Sequence, residues 1–167
     1  MAKIYAEIRQ TRPFRRPEQE LAVTLLRTGD VLHHSLDRVL AASGISQEQY
    51  NALRILRGAG TEGRPTLEVS RRLISRSPNI TRLLDKLVEK KLAQRDRGTE
   101  DRRQAILRIT PAGLRLLEAA DAAVDAVLRK LDCLGKADLK LLVDLLDRVR
   151  EAVAVKTALE SLHETDI

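Results

Sequence analysis

Arg76, Ser77, Asn79, Thr81, Arg82 and Lys86 lie close together, and helical spacing turns Asn79, Arg82 and Lys86 away from an apolar face of Ile80, Leu83, Leu84, Leu87 and Val88. Side chains of these types at a helix start suit the major groove of duplex DNA. A guanidinium such as Arg82 can donate two parallel hydrogen bonds to guanine, and a carboxamide such as Asn79 can pair in the same way with adenine. Ser77, Thr81 and the helix N-terminus suit phosphate oxygens. Ser77 followed by Pro78 is also a favourable cap and first-turn pair, so Ser77 caps the helix, touches phosphate, or does both; Arg82 alternatively is a solvated charge. A second cluster, Arg97, Asp101, Arg102 and Arg103, surrounds a turn at Gly98 to Arg102. Guanidinium groups on a hairpin can enter a narrow minor groove, where negative potential is concentrated, and Asp101 would orient Arg103 through a bidentate pair. A solvated tip of mixed charge is the alternative.

The elements that must position these residues follow from periodicity. Leu21, Leu25, Leu32, Leu36, Val39 and Leu40 recur at helical spacing from about Pro17 to Ala42, and Gly44 supplies a stop. Ser46 and Gln49 have capping-box spacing and open a helix carrying Tyr50, Leu53 and Leu56, which runs out at Gly58 and Gly60; Gly58 to Arg64 reads as a loop. Thr66 is expected to cap a helix through about Leu73, and the helix from Ser77 follows it. From Leu92 the period shortens: Ala105, Leu107 and Ile109 alternate with Gln104, Ile106 and Arg108, as in a strand with one buried face. Thr110 and Pro111 repeat the cap-plus-proline device and launch a helix ending near Gly135, and a last helix runs through about His163.

Two helices followed by a two-stranded hairpin predict a winged helix-turn-helix. The expected fold is mainly α, a single protomer over 1–167, with the DNA-binding region at 46–113 and long helices at 17–44 and 111–163 flanking it. Those flanking helices carry more apolar positions, among them Leu142, Leu145 and Val153, than a compact winged helix can bury, which predicts dimerisation.

Charge is concentrated where the chemistry is. Between Thr66 and Thr110 there are twelve basic residues against six acidic ones, and that surplus equals the +6 of the whole 167-residue chain. A second basic stretch, Lys3, Arg9, Arg12, Arg15 and Arg16 against Glu7, reads either as a solvated terminus or as a phosphate contact or clasp on a partner subunit. Aromatics make up only 2% of the chain, so the stacking surfaces of single-strand binders are missing. The start of the chain does not resemble a signal peptide and no segment approaches the roughly 20 apolar residues of a membrane span, so a cytoplasmic protein without a membrane partner is expected.

The string from Thr66 to Gly113 resembles the DNA-binding region of the MarR family of bacterial transcriptional regulators. Its most specific part is D-R-R-x-x-x-x-x-[LI]-T-x-x-G, met by Asp101, Arg102, Arg103, Ile109, Thr110 and Gly113. The resemblance implies a homodimer joined by its first and last two helices, recognition helices in successive major grooves and wing arginines in flanking minor grooves. It assigns base or phosphate contact to Ser77, Asn79, Thr81 and Arg82, and the wing role to Asp101 and Arg103. The expectation is a regulator of transcription, with repression as its sign, bound to a pseudo-palindrome and open to release by a small-molecule effector. A winged-helix protein-interaction module without operator binding is the alternative. The chain departs from the family pattern at Lys91, where glycine usually ends the recognition helix: either the turn differs there, or Lys91 takes the left-handed conformation at a cost of about 1 kcal/mol. The scarcity of aromatics argues against an aromatic-lined effector pocket.

Other chemistry finds little footing. Cys133, the single cysteine, has one nearby cation, Lys130, and reads as a packed structural residue rather than an activated thiolate. His33 and His34 are adjacent, point about 100° apart on a helix and cannot chelate one metal together. With no nucleophile–base pairing, Gly-rich phosphate loop or catalytic carboxylate pair in view, neither an enzyme nor a cofactor is expected.

Overall fold

The computed structural model describes residues 3–74, 79–97 and 105–163, with side chains over 4–74, 79–96 and 105–154. The chain divides into two compact units, residues 1–127 and 128–167.

The first unit opens with a short helix α1 (Lys3–Glu7) and a long helix α2 (Pro17–Ala41). The basic arm is anchored rather than frayed, although Arg9, Arg12, Arg15 and Arg16 are all exposed to solvent. Ile4 is buried, the rings of Tyr5 and Phe14 meet edge-on with centroids 4.9 Å apart, and Glu7 pairs with Arg27 of α2 at 3.5 Å. Two of the chain's three Phe and Tyr residues are thus spent on a small satellite cluster.

Gly44, at φ +69, ends the turn after α2, and Ser46 caps α3 (Gln47–Gly58). The capping box is complete: Ser46 Oγ accepts from the Gln49 N–H, and Gln49 Oε1 accepts from the Ser46 N–H, both at 3.2 Å. A single-turn 3-10 helix (Gly60–Glu62) leads to β1 (Arg64–Pro65) and α4 (Thr66–Arg72). Thr66 does not cap α4 as expected. Pro65 holds the N-cap position, and Thr66 Oγ1 donates across the sheet to the Ala105 carbonyl at 3.4 Å.

After α5 (Ile80–Glu89), strands β2 (Ala93–Arg97) and β3 (Ala105–Ile109) pair antiparallel, with Arg95 opposite Leu107. The wing has two strands, but the sheet has three. The segment expected to be loop supplies β1, which pairs with the other edge of β3 so that the order is β1-β3-β2. Gly63 makes this possible: at φ +69 it lies so close to β3 that a Cβ would collide with the Leu107 carbonyl.

Helix α6 (Pro111–Leu128) begins at Thr110, whose Oγ1 accepts from the Gly113 N–H at 3.0 Å, as the cap-plus-proline pattern predicts. The core is aliphatic: Leu40, Leu53, Leu56, Val69, Leu84, Leu87, Leu107 and Leu117 are all under 2% exposed. Burying each such side chain stabilises the fold by roughly 1.5 to 3 kcal/mol before chain entropy is set against it.

The second unit holds a 3-10 segment (Arg129–Cys133) and α7 (Lys136–His163). Leu141, Leu142, Val143, Leu145 and Val153 of α7 are all exposed. Cys133 is exposed as well, which overturns the expectation of a packed cysteine. No described helix is long and apolar enough to cross a membrane.

Candidate nucleic-acid interface

Among the described helices, α5 divides most sharply into an apolar and a polar face. Leu84 and Leu87 are fully buried against α3 and β2, with Ile80, Leu83 and Val88 half-buried around them. The opposite face presents Asn79, Thr81, Arg82 and Lys86, all exposed. Asn79 occupies the N-cap position but makes no side-chain capping bond, so its carboxamide is not spent on the first N–H groups of α5. The structure therefore brings four of the sequence-predicted contact residues onto one surface. Arg76 and Ser77 lie outside the described residues, as do Asp101, Arg102 and Arg103, and the Arg97 side chain does too.

The end of α5 shows how the departure at Lys91 is accommodated. Lys91 sits at φ +58, the left-handed region. Its N–H donates to the Val88 carbonyl at 2.8 Å, and the next N–H, of Leu92, reaches back to Leu87 at 2.9 Å. This pair of bonds is the Schellman closure that glycine usually makes, and Leu92 packs beside Leu87 in the core to complete it. Thr110 Oγ1 then donates to the Lys91 carbonyl at 2.7 Å, and the Leu92 carbonyl accepts from the Thr110 N–H at 3.1 Å. Gly113 faces the same carbonyl so closely that a Cβ would collide with it. The T-x-x-G spacing thus seats the start of α6 on the exit of α5.

Not all the basic residues of this region face outward uncompensated. Arg95 of β2 pairs with Asp85 of α5 at 2.7 Å, joining wing to helix. Arg108 Nη1 pairs with Asp96 at 2.5 Å while its Nε donates to the Thr61 carbonyl at 2.7 Å, and Arg72 pairs with Glu68 at 2.5 Å. Arg82 and Lys86 have no counter-ion among the described residues. Beside them a groove of about 360 Å³ runs between α5 and the start of α3, lined by Ser46, Glu48, Gln49, Asn79, Arg82, Leu83 and Lys86. Sequence reasoning treated Ser46 and Gln49 as a cap only and passed over Glu48. The Asp85–Arg95 pair was also missed, because its register depends on the left-handed turn between helix and strand.

Behind α5, a polar link joins α3 to α6. Tyr50 Oη donates to Asp121 Oδ1 at 2.6 Å, Arg57 Nη1 donates to Asp121 Oδ2 at 2.5 Å, and the Arg54 guanidinium lies 5.8 Å from the centre of the Tyr50 ring. Burial first, then the bond to Asp121 and its negative charge, push the Tyr50 phenol from its ordinary 10.0 to about 12, against the pull of Arg54 and Arg57. Burial opposes the charge on Asp121, but the hydrogen bonds from Tyr50 and Arg57, with the two guanidinium charges, hold its carboxyl below the ordinary 3.8. The periodicity pointed to Tyr50 only as a core residue. The stripe Tyr50, Arg54, Arg57 at helical spacing was the available signal, and Asp121 gave none.

The adjacent histidines serve α2. Their rings stand 6.2 Å apart at 89°, His33 Nε2 meeting Asp37 at 3.2 Å and His34 Nδ1 meeting Asp30 at 3.1 Å. Gln47 Nε2 donates to His33 Nδ1 at 2.9 Å and ties α2 to α3.

No family model matches the chain. An uncharacterized HTH-type transcriptional regulator of Bacillus subtilis, YpoP, is 34% identical over 110 residues, covering 63% of this chain and 74% of that protein. The solved structure of a MarR transcription factor from Planctomyces limnophilus is 34% identical, with a TM-score of 0.63 over 81% of this chain and 98% of its own. The transcriptional repressor CouR, solved on a 23-mer DNA duplex, is 26% identical with a TM-score of 0.70, over 83% and 99% of the two chains.

Proposed function

From the premise that the chain belongs to the MarR family of transcription regulators, we propose that it is a homodimeric repressor that reads a pseudo-palindromic operator in duplex DNA. The observation that carries this reading is the outward face of α5. Asn79, Thr81, Arg82 and Lys86 stand exposed there, while Arg72, Arg95 and Arg108 nearby are held by carboxylates of the chain itself. Charge left free on a helix held by a closed core can reach the groove, while the arginines of these three pairs are already engaged. Arg82 and Asn79 would read base edges; Thr81, Lys86 and the residues before the helix, Arg76 and Ser77, would hold phosphate. Arg97, Arg102 and Arg103, with Asp101 orienting Arg103, would enter the flanking minor groove.

The dimer part of the reading is supported by the exposed apolar side chains of α7, Leu141, Leu142, Val143 and Leu145. In a two-fold reader the symmetric heads meet half-sites about one turn, roughly 34 Å, apart. Selection of bound sequences from a random duplex library tests the whole proposal: one motif repeated in inverted orientation at that spacing is the expected result. Enrichment no better than that of an unselected duplex at moderate salt would overturn it. A small molecule that releases the operator would act on the same equilibrium, and its signature is a fall in affinity for the selected motif alone.

A further inference from the structure

The winged-helix head, α3 through β3, meets α6 through contacts of two kinds. Leu53, Leu56, Leu117, Ala120 and Val124 share one apolar cluster, which resists separation but is indifferent to small slides and rolls of one helix on the other. The Tyr50–Asp121–Arg57 link is directional. Tyr50 and Arg57 stand two turns apart on α3, about 10 Å along its axis, and both converge on one carboxylate of α6. Each oxygen of that carboxylate is taken by a different donor, so neither a slide nor a roll of α6 can keep both bonds. The Arg54 guanidinium lies against the Tyr50 ring and limits its swing. Among the described residues no other side-chain hydrogen bond or ion pair joins α3 to α6.

Because the chain leaves the head along α6, we infer that Asp121, positioned by Tyr50 and Arg57, sets the half-site spacing the dimer accepts by fixing the angle between head and exit helix. The inference rests on the operator-reading function proposed above. Each base pair added between half-sites moves the second one about 3.4 Å along and about 35° around the duplex, so a head with a fixed exit angle meets both half-sites at one spacing only. A head free to roll by a few degrees meets several.

These three are positioning residues; none reaches the DNA-facing side of α5. The test measures affinity on duplexes that carry the selected half-sites at the best spacing and at one and two base pairs more or less, together with a single half-site duplex. Wild type is expected to lose at least tenfold on either side of the optimum. Tyr50→Phe and Asp121→Asn are expected to keep the same half-site motif and single half-site affinity within twofold, yet to flatten the spacing profile to less than threefold. Arg57→Lys, which keeps the charge, should fall between. If Asp121→Asn folds poorly, Tyr50→Phe, which removes a single hydroxyl, decides the matter. A lowered melting temperature with an unchanged spacing profile would overturn the inference and leave operator reading standing, whereas the absence of any half-site motif in wild type would overturn both.

Discussion

Helices α5 and α7 are both rich in leucine, and the structure treats them in opposite ways. Leu84 and Leu87 of α5 are completely buried by their own chain, whereas Leu142 and Leu145 of α7 are 43% and 42% exposed. In α5 the apolar residues form one stripe that α3 and the sheet close over, so the other face is left wholly to polar chemistry. In α7 the apolar residues are spread around the helix, and the single chain does not cover them. A helix whose packing is complete within its chain is fit to present a reading surface; one whose packing is unfinished is fit to meet another copy.

The comparison breaks most visibly at α5. Leu87→Ala should cost about 2 to 5 kcal/mol of unfolding free energy, because a cavity in a closed core adds to the lost transfer term. Urea unfolding followed by circular dichroism measures this, and a loss under about 1 kcal/mol would mean the core is less closed than its burial implies. On α7, Leu142→Glu combined with Leu145→Glu should leave helicity intact but raise the dissociation constant of the proposed dimer about hundredfold, close to 2.7 kcal/mol. Sedimentation at several concentrations reads it; an unaltered assembly would remove this face from the interface. Arg82→Ala, on the open side of α5, should leave stability unchanged and relax preference at one operator position by about 1 to 3 kcal/mol. A uniform loss on all sequences would make Arg82 a phosphate contact.

Smaller effects sharpen the contrast. The head carries the Tyr50–Asp121 bond, while α7 offers the exposed Arg150–Asp147 pair. A phenol raised to about 12 in the folded chain contributes stability that is complete below pH 10 and is lost as pH rises through about 12. The lowered Asp121 carboxyl contributes stability that is complete above about pH 4 and lost as pH falls further. Tyr50→Phe should therefore abolish the alkaline loss, at a cost of about 1 to 3 kcal/mol near neutrality; an identical alkaline limb in wild type and variant would contradict it. Least of all, Lys91→Gly should raise stability by up to about 1 kcal/mol by relieving a left-handed lysine. No gain in melting temperature would show that the bonds closing the helix already absorb the strain.

What the sequence disclosed was local. Ser46 with Gln49 three residues on, and Thr110 with Pro111 beside it, announce helix starts, whereas at Lys91 two outcomes stayed open, a different turn or a left-handed lysine, and the structure has the second. Failures came where partners are distant or signals short. A two-residue strand has no period, so β1 passed for loop. Asp121 meets Arg57 and Tyr50 across 64 and 71 positions of chain, a proximity set by tertiary packing. Cys133 was expected to pack because its one nearby cation, Lys130, is weak activation for a thiolate, yet its short 3-10 segment leaves it at the surface. The charge surplus marked one stretch of the chain without showing which of its cations the chain's own carboxylates hold.

That last distinction carries into how the protein would respond to ionic strength. An arginine that reaches DNA already neutralised by its own chain brings no net charge to the phosphate lattice and frees no condensed cation from it. Arg72, Arg95 and Arg108 are in that condition before any encounter. Each lowers the steepness of log affinity against log salt by about 0.9 relative to a count of basic residues. Internal pairing of these three would make the dependence of affinity on salt shallower than a count of basic residues predicts.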